Sequence, residues 1–127
     1  MTLLLDTHAL IWWMEASSRL SRRAATALAN PQNRVLVSAA VAWELAIKVS
    51  SGKLRPPVPL LELAAVAAQQ RFVELPITLD HAVAAGLLPL HHRDPFDRLL
   101  VAQAQSLKIP LVSPDPLFDR CEVTRLW

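Results

Sequence analysis

Glycine and cysteine are scarce in this sequence, with two glycines and one cysteine among 127 residues. Because Gly52 and Gly86 stand alone, the glycine-rich loops that cradle phosphates in nucleotide-binding proteins are absent. The G-x-S-x-G turn that presents a serine nucleophile in hydrolases is absent as well. Cys121 has no partner for an internal disulfide, which is typical of a protein from a reducing compartment.

Long apolar runs are also missing, since none reaches the roughly 18 residues that span a bilayer. Residues 1–5 lack a basic segment, and Asp6 interrupts their apolar run, so they do not resemble a signal peptide. We therefore expect a cytoplasmic protein without a membrane segment. A hydrophobic content of 53% supports a packed core, and residues 1–127 are expected to form one domain. The net charge of +2 permits nucleic-acid binding without requiring it.

Short apolar runs alternate with helical segments along the chain. This alternation predicts an α/β protein with helices on both faces of a parallel sheet of four to five strands. Predicted N-caps include Ser21, Ser38, Thr78 and Asp94. The predicted strands are residues 3–5, 35–37, 72–75, 110–112 and 122–126; the predicted helices are 9–15, 22–29, 39–50, 60–70, 79–86 and 95–107, with a loop at 88–93.

Four acidic residues fall near the carboxyl ends of the predicted strands, where sites form in parallel α/β sheets. Asp6 follows the first strand, and Asp115 follows the fourth. Asp97 lies in the first turn of the last long helix, and Glu44 lies inside the helix after the second strand. Each aspartate also has a structural alternative, because aspartate commonly caps or begins a helix.

Glu44 is the least ordinary of these acids. Residues 39–49 are apolar except for Glu44 and Lys48, so we expect this helix to be mostly buried, with Trp43 in the core. A buried carboxylate is costly unless it is paired or binds a metal. An ion pair with Lys48, four residues further along, is the alternative to a metal site.

The predicted cluster consists of carboxylates, and the sequence shows no histidine or cysteine motif for zinc beside them. The four histidines, at positions 8, 81, 91 and 92, show no spacing typical of zinc ligands. Converging carboxylates repel one another, and a hard divalent cation stabilises them. Mg²⁺ prefers oxygen ligands and often binds phosphate as well, and Mn²⁺ suits the same ligands. The pattern therefore indicates phosphate chemistry.

Four segments together resemble the PIN-domain family, with the closest likeness to VapC-type toxins of toxin–antitoxin pairs. They are residues 4–10 (L-L-D-T-H-A-L), 38–48, 92–100 (H-R-D-P-F-D-R-L-L) and 113–115 (S-P-D). D-P-F-D-R-L-L is the most specific segment, and the resemblance covers essentially the whole chain. It implies a three-layer α/β/α fold and a Mg²⁺- or Mn²⁺-dependent endoribonuclease that a small cognate antitoxin inhibits. The resemblance also implies a homodimer.

The resemblance assigns family roles to residues of this sequence. Asp6, Glu44, Asp97 and Asp115 match the family's catalytic and metal-binding acids in order. Ser113 matches the serine or threonine that accompanies the last acid, where it would orient a ligand or a water.

Several residues near these positions remain open to more than one interpretation. Pro114 departs from the family pattern and bears on the placement of Asp115, whereas Asp94 is interpreted as a helix cap. Arg98 and Lys48 are candidates for phosphate contact or for balancing the acids.

Two other functions deserve comparison. A haloacid phosphatase needs a second aspartate two residues after the first, where this sequence has His8, and a receiver domain has no use for Glu44. A catalytically inactive binding module is the remaining alternative, although all four acids are present.

Overall fold

The computed structural model describes residues 1–89 and 93–127; positions 90–92 of the predicted loop 88–93 lie outside the described residues. The described strands form a five-stranded sheet in the order β3-β2-β1-β4-β5, and every pair is parallel. The strands are β1 Thr2–Leu5, β2 Arg34–Ser38, β3 Val73–Leu75, β4 Leu111–Val112 and β5 Arg125–Leu126. The helices are α1 Thr7–Met14, α2 Arg22–Ala29, α3 Ala39–Ser50, α4 Leu63–Gln69, α5 Leu79–Leu87 and α6 Pro95–Leu107.

The central strand β1 explains the layered architecture. Leu3, Leu4 and Leu5 are all fully buried. Successive side chains of a strand point to opposite faces, so both faces of the sheet must be covered. This confirms the predicted three-layer α/β/α fold with a parallel sheet. None of the described helices combines the length and apolar character that a membrane span requires.

Polar caps determine where several helices begin. The side chains of Ser21, Ser38 and Thr78 accept hydrogen bonds from the first turns of α2, α3 and α5, as predicted. Asp94 caps α6 by accepting from the backbone N–H groups of Phe96 and Asp97, at 2.8 and 3.1 Å. This confirms the interpretation of Asp94 as a helix cap.

Most predicted boundaries agree with the structure to within one residue, and three elements differ by more or in kind. The first helix begins at Thr7, two residues before the predicted start, because Asp6 serves as its N-cap. The predicted helix 60–70 is a 3-10 turn at Leu60–Glu62 followed by α4, and the turn begins directly after Pro59, which lacks an N–H. The predicted strand 122–126 is reduced to β5, Arg125–Leu126.

The prediction that Trp43 lies in the core is wrong. Helix α3 buries one face, formed by Ala40, Val41, Glu44 and Leu45, whereas Trp43 is 58% exposed and packs edge-on against Phe96. Although residues 39–49 are almost all apolar, only one face of this helix is buried. Part of its apolar surface remains open to solvent.

Candidate active site

Asp6 and Asp115 lie at the carboxyl edge of the sheet because each follows one of two neighbouring strands. Asp6 comes directly after β1, is 5% exposed, and accepts a hydrogen bond from the Ala9 N–H at 2.8 Å. Asp115 follows β4 and accepts from the Leu117 N–H at 2.9 Å, which caps a 3-10 turn at Pro116–Arg120. Since β1 and β4 pair in parallel, their carboxyl ends meet at the same edge. Both acids thus cap a helical turn, which was the structural alternative, and both also lie at the carboxyl edge of the sheet.

Ser113 connects these two acids. Its side chain is fully buried, its hydroxyl donates a hydrogen bond to the Asp6 carboxylate, and its oxygen accepts from the Asp115 N–H at 3.0 Å. One hydroxyl group therefore fixes the relative placement of both acids. Pro114, the departure from the family pattern, lies between Ser113 and Asp115 without preventing this bridge.

Glu44 is 6% exposed and has two polar partners. Its Oε2 lies 3.4 Å from Lys48 Nζ, so the predicted ion-pair alternative is present. Its Oε1 accepts a hydrogen bond from the hydroxyl of Thr7, on α1. Thr7 was not singled out as a site residue, although it is 4% exposed and stands inside the L-L-D-T segment. The signal that could have identified Thr7 is a hydroxyl directly after Asp6, two residues before the predicted start of the first helix.

Asp97 provides the strongest sign that the acids converge. Its pKa is raised to about 7: burial is the largest cause, and the negative charges of Asp94, Glu44, Asp6 and Asp115 contribute in that order. Each of the other acids therefore lies close enough for its charge to reach Asp97. The four predicted site residues thus share one electrostatic environment.

The pKa of Asp6 is also raised, to about 6, and burial is the largest cause. Hydrogen bonds from Ser113 and from the Ala9 N–H oppose that effect, as does the charge of His8, while Glu44 adds to it. Two carboxyl groups of one cluster thus hold protons more tightly than usual. This is the expected behaviour of acids that are crowded without enough positive charge.

The cations near the cluster are engaged with protein groups. Lys48 pairs with Glu44, and Arg98 donates to the backbone carbonyls of Gly86, Leu88 and Pro89 at 3.3, 2.8 and 3.2 Å. These acceptors lie at the end of α5, so Arg98 ties that end to α6. A phosphate contact by either side chain stays a prediction.

The cluster suits a cation that needs few protein ligands. Within residues 1–89 and 93–127, no three aspartate, glutamate, histidine or cysteine side chains are close enough together to hold one ion among them. Mg²⁺ commonly keeps several waters and binds one or two carboxylates directly. The shared negative charge around Asp97 therefore fits Mg²⁺, held partly through water, better than a cation that requires a complete protein cage.

A family model for the PIN domain matches residues 3–123. The chain belongs to the PIN-domain family. The Mycobacterium tuberculosis protein Ribonuclease VapC22 is 35% identical to this PIN domain over 117 residues, which cover 90% of this chain and 87% of the relative. The family-model match includes all four acids of the cluster.

Solved structures show the same fold at lower identity. A chain from VapBC2 of Rickettsia felis, bound to a DNA fragment from their promoter, has a TM-score of 0.72 at 17% identity and 100% coverage of both chains. VapC20 of Mycobacterium tuberculosis, described as a sarcin-ricin loop cleaving toxin, has a TM-score of 0.70 at 16% identity and 96% coverage of both chains. At such identities these likenesses establish the fold of this PIN domain.

Proposed function

We propose that this PIN domain is a Mg²⁺-dependent endoribonuclease and the toxin of a toxin–antitoxin pair. The observation that carries the proposal is the shared electrostatic environment of Asp6, Glu44, Asp97 and Asp115. Their arrangement suits hydrolysis of a phosphodiester bond, because a carboxylate-bound divalent cation is the usual agent of that chemistry. RNA as the substrate is supported by the ribonuclease name of the relative that shares 35% identity.

Asp6, Glu44 and Asp97 would hold Mg²⁺ directly or through water, with Mn²⁺ as a substitute, and Asp115 would complete the acidic pocket. When bound, the cation activates a water molecule and offsets negative charge on the phosphate oxygens. The carboxylates must release their protons to act as ligands. Asp97 and Asp6, whose pKa values lie near 7 and 6, are the groups for which this release matters most.

The surrounding residues keep the carboxylate oxygens in place. Ser113 orients Asp6 through its hydroxyl, and Thr7 and Lys48 each hold one oxygen of Glu44. Loss of such a supporting contact commonly lowers metal affinity or activity by about 10- to 100-fold. Asp97 lies in the first turn of α6, and the Asp94 cap determines where that turn begins.

A cognate antitoxin of the VapB type is the proposed partner, and a homodimer is the proposed assembly. Apolar side chains on α3 and α5 are exposed and require an explanation. They are Trp43, Ile47, Leu79, Val83 and Leu87. Exposed apolar patches commonly mark protein–protein contacts. The VapBC structures that share this fold support a partner of the antitoxin kind.

The test is cleavage of a structured RNA pool by the purified protein with Mg²⁺, with Mn²⁺ and with EDTA. Asp6→Asn and Asp97→Asn should abolish cutting, whereas Asp80→Asn, an exposed aspartate on α5, should cut as the wild type does. Loss of cutting in EDTA and in both site variants supports the proposal. A folded wild-type protein that cuts nothing with either metal would favour the inactive binding module. Site variants that remain fully active would show that the acids are misassigned.

A further inference from the structure

A cavity of about 300 Å³ lies between α6, residues 88–89 and residues 120–122. Its apolar lining comes from Leu88, Pro89, Val101 and Cys121, and its polar lining from Arg98, Gln105, Arg120 and Glu122. Small-molecule sites start at roughly this volume and combine an apolar lining with a few polar groups. None of the four acids is among the described residues that line it.

Helix α6 connects this cavity to the cluster. Asp97, Val101 and Gln105 are spaced four residues apart, so they lie along one face of the helix. Val101 therefore lies about one helical turn, roughly 6 Å along the axis, from Asp97. Arg98, which also lines the cavity, follows Asp97 directly. Cys121 supports this closeness: burial raises the pKa of its thiol, the charges of Asp97 and Asp115 raise it further, and Arg98 lowers it.

Three polar side chains in the lining have unused hydrogen-bonding capacity. In the described part of the chain, the side chains of Gln105, Arg120 and Glu122 make no hydrogen bond and no ion pair with protein groups. Gln105 and Glu122 also line an adjoining cavity of about 530 Å³, which continues towards Lys108. Gln105 and Glu122 therefore lie where the two cavities adjoin.

We propose that this cavity is a nucleobase subsite and that it selects guanine next to the phosphate that is cut. The proposal rests on the proposed function, because it assigns the substrate specificity of the same site. Single-stranded RNA is read through hydrogen bonds to base edges and through contacts with base faces. The apolar lining provides a surface for the face of a base, and Arg120 and Glu122 provide groups for its edges.

Guanine matches the charges of these two residues. Its N1–H and N2–H₂ groups are neighbouring donors that the Glu122 carboxylate can accept, and its O6 and N7 are acceptors that an arginine can contact in pairs. Adenine presents an N6–H₂ donor beside N7 and an acceptor at N1, so it would face Arg120 and Glu122 with groups of the wrong kind. A comparison of RNAs that carry guanine or adenine at this position therefore tests the subsite.

The first experiment sequences the products of a randomised RNA pool cut by the wild type in Mg²⁺. We expect guanine to be enriched at one fixed position within two nucleotides of the cut. Glu122→Gln, which removes a carboxylate acceptor, should reduce the preference for guanine over adenine there by about tenfold, as for the loss of one good bidentate contact. Glu62→Gln, a matched change at an exposed glutamate, should leave the preference unchanged. An absent guanine preference, or one unchanged in Glu122→Gln, would overturn the subsite.

A second measurement separates failure of the subsite from failure of the proposed function. Fluorescence anisotropy compares short labelled RNAs that differ only in one central guanine or adenine, bound to Asp97→Asn with and without Glu122→Gln. Tighter binding of the guanine RNA that depends on Glu122 supports the subsite, even where the wild type cuts no RNA and the nuclease proposal fails. Equal binding of the two RNAs by Asp97→Asn would overturn the subsite, whatever the wild type cuts.

Discussion

The Thr7 hydroxyl donates a hydrogen bond to the Glu44 carboxylate and so joins the first turn of α1 to the middle of α3. Both residues are buried, and the other oxygen of Glu44 is held by Lys48. A buried carboxylate that loses one of its two partners keeps its desolvation cost without the compensating bond. Thr7 therefore contributes both to the stability of the fold and to the orientation of a proposed metal ligand.

Replacing Thr7 with valine should expose this double contribution. Thr7→Val keeps the volume of the side chain, and we expect it to lower the free energy of unfolding by about 1–3 kcal/mol. Urea denaturation would measure that loss, and the rate of RNA cleavage should fall by about tenfold or more. Thr7→Ser should restore most of the activity because it keeps the hydroxyl. Thr26→Val, at an exposed position of α2, is the matched control. An unchanged cleavage rate in a folded Thr7→Val protein would show that Glu44 does not depend on Thr7 for its placement.

Removing the hydroxyl of Ser113 should weaken metal binding more than it weakens the fold. Ser113→Ala deletes the donor to Asp6 and the acceptor of the Asp115 N–H, so both acids lose a shared anchor. The loss of that donor also raises the pKa of Asp6 further, which adds to the cost of making it a ligand. We expect the Mg²⁺ concentration for half-maximal cleavage to rise by about 10- to 100-fold. A Mg²⁺ titration checks this, with the exposed Ser18→Ala as control; an unmoved midpoint would contradict it.

The sequence predicted those parts of the fold and site that local chemistry determines. Ser38 and Asp94 identified the starts of α3 and α6 because a cap acts on the next two or three residues. The run Leu3–Leu5 identified a strand buried on both faces. The sequence also predicted that Asp6 and Asp115 lie at the same edge of the sheet, because the carboxyl ends of parallel strands meet there.

What the sequence did not predict depends on contacts between distant elements. Trp43 is apolar, and only the packing partners of α3 determine which of its faces is covered. The contacts of Arg98 with Gly86, Leu88 and Pro89 likewise depend on how α5 lies against α6. No spacing rule along the chain reports such a contact.

Two roles of Arg98 can be distinguished by experiment: it anchors the end of α5, or it contacts a phosphate of the RNA. If it anchors the end of α5, Arg98→Gln should lower the free energy of unfolding by about 1–3 kcal/mol, because several carbonyl groups lose a charged donor. RNA binding should then keep the same dependence on salt. A residue that contacts a phosphate contributes about one unit to the slope of log affinity against log salt. Binding titrations from 50 to 200 mM salt would measure this slope with Asp97→Asn and with Asp97→Asn/Arg98→Gln. A slope reduced by about one unit would assign Arg98 to the phosphate instead.

The raised pKa of Asp97 predicts how stability of the metal-free protein varies with pH. Between its unfolded value of 3.8 and its folded value of about 7, the folded protein binds the proton more tightly than the unfolded chain does. The contribution of Asp97 to stability is therefore largest at low pH and is lost as pH rises through this window. Asp6, with a pKa of about 6, acts in the same direction. The ionised cluster should thus destabilise the fold at pH 8 when no cation is present.

Asp97→Asn removes that ionisation and should stabilise the metal-free fold at pH 8. In EDTA we expect its melting temperature to exceed that of the wild type by about 2–5 °C, the response to a change on the order of 1 kcal/mol. Water screens part of the repulsion at this half-buried position, so the gain remains modest. At pH 5 the difference should shrink, since Asp97 is then protonated. Added Mg²⁺ should raise the melting temperature of the wild type more than that of Asp97→Asn, because only the wild type retains the full set of ligands. An Asp97→Asn protein that is less stable than the wild type in EDTA at pH 8 would mean that the Asp97 carboxylate stabilises the fold, against the direction of its pKa.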